Sequence, residues 1–133
     1  MRVVVIDSEK KKVYEAHIGT DFREIYPLIG NGCTTFCCPV AMPNGDMMFA
    51  DDEALLHEEI KGAFIMKDWD YPICGNVVLI NSDEEGESVD ALSDIEDLKS
   101  QVYWVSPENA YRWQSEALSR PPAIIFLKKD DEA

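Results

Sequence analysis

Val77-Val78-Leu79-Ile80 carries no polar side chain at four consecutive positions. Successive residues of a strand point to opposite faces, so such a run has to be covered on both sides and belongs inside a sheet. Residues 73–80 are therefore read as a central strand. A chain of 133 residues fits one compact domain and can bury that strand. At this size, folding hides roughly two-thirds of the surface that the unfolded chain exposes.

The rest of the chain supplies partners for it. Residues 2–6 are apolar and β-branched after Arg2 and read as a strand. A polar turn over residues 7–12 leads to a second strand carrying Val13, Tyr14, Ala16 and Ile18, antiparallel to the first. Thr20 or Asp21 can cap a helix with Phe22, Ile25, Tyr26, Leu28 and Ile29 on one side, closed by Gly30 and Gly32. Pro27 would kink or shorten it. Residues 33–42 and 47–50 form the arms of a hairpin around Pro43-Asn44-Gly45-Asp46, since Asn-Gly between apolar runs is a strong hairpin signal. Pro39 sends the first arm to a sheet edge or a bulge.

Residues 51–60 read as a short acidic helix with Leu55 and Leu56 inward, followed by a short apolar run over 63–66 and an aromatic loop over 67–72. Ser93-Asp94-Ile95-Glu96 matches a capping box. Residues 102–105 read as a strand. Ser106-Pro107-Glu108 then starts a helix that continues through Tyr111, Trp113 and Leu118 and ends at Arg120-Pro121-Pro122. Residues 123–127 offer a last strand. The expected fold is α+β: a single domain over residues 1–127, with a mostly antiparallel sheet of about five to seven strands, two to four short helices packed on it, and a charged tail over 128–133.

Composition narrows the function. The chain has 26 acidic and 12 basic residues, a formal net charge of −14. That argues against direct nucleic-acid binding and against attraction to anionic membranes, both of which need clustered Lys and Arg. No apolar run approaches the roughly 18 residues of a membrane span. The apolar part of the N-terminus is too short for a signal peptide, so the expected location is the cytoplasm, where Cys33, Cys37, Cys38 and Cys74 serve as free thiols filling the core.

The C-x₃-C-C spacing of the first three cysteines lacks the second pair a zinc knuckle requires, with only Cys74, His17 and His57 left over. Metal, redox and Cys–His readings of these residues stay open without positive support. Both histidines read as surface residues, His57 with a raised proton affinity beside Glu53 and Glu58. Trp104 and Trp113 read as core. Asn81–Gly86 imitates the start of a calcium loop, but Leu92 stands where the bidentate Glu belongs. No phosphate-loop, dinucleotide or serine-hydrolase motif is present in the sequence. The expectation is a non-enzyme without metal or cofactor.

The most distinctive segment is acidic. Between Asp83 and Asp97 there are eight acids and no base. It reads either as a solvated loop or as a surface for a basic partner. Fully extended, this stretch would place one charge every 6 Å or so, whereas duplex DNA carries one about every 1.7 Å. Imitation of nucleic acid would therefore require acids 51–59 and 68–70 folded alongside. The candidate partner-binding residues are Asp83, Glu84, Glu85, Glu87 and Asp90 first, then Asp51, Asp52, Glu58 and Glu59. Trp69 and Tyr71, flanked by acids, add an aromatic hot spot.

The order of features has a counterpart. A Val-rich first strand, a charged turn, the segment 21–32, the stretch Phe49-Ala50-Asp51-Asp52-Glu53-Ala54-Leu55-Leu56, and Ile73-Cys74-Gly75-Asn76-Val77-Val78-Leu79-Ile80 with its acidic turn together resemble a family of small uncharacterised proteins of unknown function, frequent in bacterial, phage and plasmid genomes. The resemblance spans residues 2–100 and carries no catalytic residues. The cysteine cluster and the Trp-containing C-terminal helix have no counterpart in it. It implies a mobile-element setting, in which small acidic proteins block host enzymes. The expected function is a non-enzymatic acidic protein that inhibits or modulates a host nucleic-acid-handling or defence protein, by nucleic-acid mimicry in its strongest form. The alternative is a binder or sequestering protein for a signalling nucleotide. That reading needs a local basic pocket, from Lys10–Lys12, Arg23 or Arg112.

Overall fold

The structure, a computed structural model, describes residues 1–54 and 59–118, with side chains as far as Trp113. The central strand expected over residues 73–80 is corrected: Gly75, at φ +92°, breaks it, residues 73–74 join another sheet, and Val77–Ser82 holds the centre. Strand β1 (Arg2–Asp7) and β2 (Lys12–His17) form the expected antiparallel hairpin, in register from Arg2 opposite His17 to Asp7 opposite Lys12. Asp7 stiffens the turn by accepting the Lys10 amide at 2.9 Å. A 3₁₀ turn (Phe22–Glu24), capped by Asp21, leads into helix α1 (Ile25–Ile29). Pro27 stands in the first turn of α1, where amides lack an intrahelical acceptor, so the helix survives but stays short.

Strands β3 (Phe36–Ala41) and β4 (Met47–Asp51) make the second hairpin, with Gly45 at φ +96° in the Asn-Gly turn. β3 starts three residues later than the sequence suggested, because residues 33–35 form no ladder. It is an edge strand, and its register shifts between Cys37 and Val40, where Pro39 has no amide to donate. The expected helix over 51–60 is corrected at both ends: Asp51 ends β4, residues 52–53 turn, and residues 59–60 are not helical. Leu55, Leu56, His57 and Glu58 lie outside the described residues.

Strand β5 (Ala63–Met66) and the two-residue β6 (Ile73–Cys74) precede β7 (Val77–Ser82), which pairs with β1 on one side and β4 on the other. Strand β8 (Ser88–Val89) folds back on the end of β7. Helix α2 (Ile95–Gln101), β9 (Val102–Val105) and α3 (Pro107–Leu118) complete the order. All pairings are antiparallel. A six-stranded sheet runs β2-β1-β7-β4-β3 with β8 on β7, and a separate three-stranded sheet runs β6-β5-β9. The fold is thus α+β, and the six-stranded sheet is the size expected. The second sheet and its composition from β5, β6 and β9 are new. Residues 123–127, expected as a last strand, and the tail 128–133 lie outside the described residues.

The β7 run explains the layering. Val78 and Ile80 join Val3 and Val5 on one face and pack on Ile25 and Ile29 of α1. Val77 and Leu79 join Val4, Ile6 and Met48 on the other face and meet Phe64, Met66 and Ile73 of the small sheet and Leu98 of α2. The far side of the small sheet, Ala63 and Cys74, rests on Ala110 of α3. At Gly62, just before β5, a Cβ would collide with the Ser8 carbonyl just beyond β1, so only glycine fits where these segments meet. No helix of the described residues is long and apolar enough to cross a membrane.

Candidate partner-binding surface

The acidic segment is an ordered hairpin rather than an open loop. Asp83 donates its amide to the Glu87 carbonyl, and its own carbonyl accepts from Gly86. The Asp83 carboxylate accepts the amides of Glu85 and Glu87, both at 2.9 Å, which fixes the turn from within. Gly86, at φ +84°, supplies the left-handed step. Glu84, Glu85 and Glu87 are exposed, and among the described residues their carboxylates take part in no hydrogen bond or ion pair.

Two clamps hold the base of this hairpin. Arg2 donates its amide to Asp90 at 2.7 Å, and its guanidinium to the carbonyls of Ala91 at 2.6 Å and Ser93 at 2.9 Å, while pairing with Glu15. The second clamp is Asp46, wholly buried after the Asn-Gly turn. Its carboxylate accepts from the Asn81 side chain at 2.8 Å, the Leu92 amide at 3.0 Å, the Ser93 amide at 2.8 Å and the Ser93 hydroxyl at 2.6 Å. Burial pushes the Asp46 carboxyl toward the neutral form, but the bonds from Ser93, Leu92 and Asn81 together outweigh it and hold it below its ordinary value.

Ser93, expected to cap α2, is thereby diverted. Asp94 caps the helix instead, accepting the Asp97 amide at 3.0 Å. Sequence reasoning missed both clamps. The local signal for Asp46 was only that of a turn residue, and its partners lie 35 to 47 positions away.

The other expected acids are dispersed. Asp51 is buried and accepts the Glu53 amide, so it is withdrawn from any partner surface. Asp52 and Glu59 are exposed, and Glu58 lies outside the described residues. In the antiparallel register Ala50 faces Val77 whereas Met47 faces Ile80, so residues 51–52 stand at the opposite end of β7 from Asp83. Six to seven strand residues separate the two groups by about 20 Å. The side-by-side arrangement that mimicry of a duplex required is not formed by these two clusters.

Trp69 and Tyr71 are half-buried rather than freely exposed. The Trp69 ring packs on Phe64 with centroids 5.6 Å apart. Together with Asp70 and Ile73 they face Pro39, Val40 and Ala41 across a groove of about 260 Å³. Trp104 is half-buried against the core as expected, whereas Trp113 is 39% exposed.

Three of the thiols are held in the protonated form. Burial, with help from Asp51, pushes Cys33 up to about 11. Burial and Asp52 do the same for Cys37, and burial alone for Cys74. These three stay protonated at neutral pH. Of the four thiols expected to fill the core, Cys74 is buried, Cys33 and Cys37 are half-buried, and Cys38 is exposed. Among the described residues no group of three or more His, Cys, Asp or Glu is placed to hold a metal ion.

Of the bases expected to form a pocket, Arg23 is engaged by Asp21 at 2.8 Å and Arg112 is exposed on α3. Lys11 and Lys12 line a groove with Lys99. No curated protein and no solved structure matches the chain. A family model described as a domain of unknown function, DUF3846, matches residues 1–103, which takes in the six-stranded sheet, both clamps and the acidic hairpin, and the chain belongs to that family.

Proposed function

We propose that the domain is a non-catalytic binding module that presents its acidic hairpin to a basic surface of a partner protein. The observation that carries this reading is the division of labour at residues 83–90. Asp83 is spent on the hairpin's own backbone and Asp90 on the Arg2 amide of β1, while Glu84, Glu85 and Glu87 are left exposed on a braced turn. Rigid display lowers the ordering cost of association, and a net charge of −14 speeds encounter with a basic partner. The mobile-element setting implied by the resemblance directs the search to host nucleic-acid-handling or defence proteins, with inhibition or modulation as the outcome. The reading does not include a continuous DNA-like row of charge, because the second acidic cluster stands at the far end of β7.

The test is capture from bacterial lysate at low and high salt, with the natural chain and with E84Q/E85Q/E87Q, read by mass spectrometry. A basic protein held at low salt, released at high salt and lost by the triple variant is the expected result. A partner retained equally by the triple variant overturns the reading.

A further inference from the structure

The two sheets leave an open edge where β2 ends one and β9 ends the other. The structure places Lys11, Lys12, Val13, Lys99, Val102 and Trp104 around a groove of about 370 Å³ at that edge. Three of the chain's 12 basic residues thus line one concavity in a protein with 26 acids. Lys11 and Lys12 come from the β1–β2 hairpin and Lys99 from α2, so the grouping is made by the fold and not by a local lysine run alone. A groove of this size falls within the roughly 300–1,000 Å³ typical of small-molecule sites.

The lysines are only lightly engaged. The Lys99 ammonium lies 3.6 Å from Glu96, in a pair whose side chains are 50% and 81% exposed. The Lys12 ammonium sits 4.8 Å from the centre of the Tyr14 ring, which packs on the face of the sheet opposite Val13 and Trp104, so it has to swing off that ring to enter the groove. Neither contact neutralises a buried charge, and both can be exchanged for a stronger anion. Trp104 gives the same groove a half-buried aromatic wall, fixed from behind by the core. Lysines supply point charges for phosphate oxygens, and an indole accepts a flat ring by stacking. The low-dielectric walls of a cleft focus the local positive field even where the molecule as a whole is strongly acidic.

We propose that this groove is a binding site for a small phosphorylated ligand carrying a flat ring, of the nucleoside mono- or diphosphate class. The phosphate sits among Lys11, Lys12 and Lys99, and the base lies against Trp104. The site is separate from the acidic hairpin, and the two stand or fall independently.

The experiment is titration of the full chain with adenosine and guanosine mono- and diphosphates, with adenosine and with inorganic pyrophosphate, followed by thermal shift and by tryptophan fluorescence. A saturable rise in Tm with at least one nucleotide is expected, with none for adenosine, and with affinity falling as salt rises. K12Q/K99Q should weaken that nucleotide about tenfold or more, the loss expected for one or two charge-assisted contacts. Trp104→Leu should weaken it while leaving pyrophosphate unchanged, and E84Q/E85Q/E87Q should leave it unaltered. No saturable shift with any of the four nucleotides at millimolar concentration overturns the proposal. So does nucleotide binding that is unchanged in K12Q/K99Q. Pyrophosphate binding as tightly as the nucleotides overturns the role of Trp104.

Discussion

The acidic hairpin and the lysine groove are charged in opposite senses and built in opposite ways. The hairpin is convex. Its shape is fixed by backbone bonds and by Asp83, with the clamps Arg2 and Asp46 beneath it. Its three free carboxylates contribute nothing to holding it. The groove is concave, and its walls are core residues, while its lysines hang on weak surface contacts. The difference teaches that the charge available for binding is not the charge that stabilises the fold. In this chain the structural carboxylates, buried Asp46 and exposed Asp83 and Asp90, are the ones that accept hydrogen bonds from the fold.

That comparison can be broken most severely at Asp46. Replacing it by Ala leaves the Ser93 and Leu92 amides and the Asn81 amide group without their acceptor, at a cost of about 3–5 kcal/mol in urea unfolding. Asp46→Asn, which keeps one acceptor oxygen, should cost less. If Asp46→Ala unfolds at the same urea midpoint as the natural chain, the clamp is not the brace described.

The second effect is on pH. The folded Asp46 value lies below its ordinary one, so its contribution is fully present above about pH 4 and is lost as pH falls through the lower folded value. Urea midpoints measured from about pH 5 down to about pH 2 should fall more steeply in the natural chain than in Asp46→Asn. Parallel curves would show that other carboxylates govern acid sensitivity.

The third prediction sharpens the contrast. E84Q/E85Q/E87Q changes the formal net charge from −14 to −11 (three acids neutralised), yet stability should move by less than about 0.5 kcal/mol. The smallest effect is expected for K12Q/K99Q, whose Tm without ligand should match the natural chain because only exposed contacts are removed. A loss of several degrees in either variant would mean that these charges carry structure as well.

What was legible in the sequence was local. The hairpin around Asn44-Gly45, the continuous run of β7, the edge position enforced by Pro39 and the start of α3 at Ser106-Pro107 each follow from neighbouring residues, and each is where expected. The second sheet was not legible. β5 has four residues and β6 two, too few for a period to reveal a partner, and the pairing of β5 with β9 is decided across the chain. Ser93 shows the same limit: the capping-box pattern was genuine, but a buried carboxylate 47 positions away won its hydroxyl and left the cap to Asp94. The acidic hairpin was found by composition alone. The groove was half found, since Lys11 and Lys12 stood out as a run while Lys99 and Trp104 did not.

The clamps on residues 90–93 also determine what can be cut out of this protein. A synthetic peptide copying residues 81–93 would carry all the exposed acids of the hairpin and the inner bonds of Asp83. It would leave behind Arg2 and Asp46, which hold its two ends at a fixed spacing. The hairpin is therefore not portable. Anyone wishing to borrow it has to transplant the first strand and the β3–β4 turn with it, or rebuild their function with a covalent bridge across the hairpin's base.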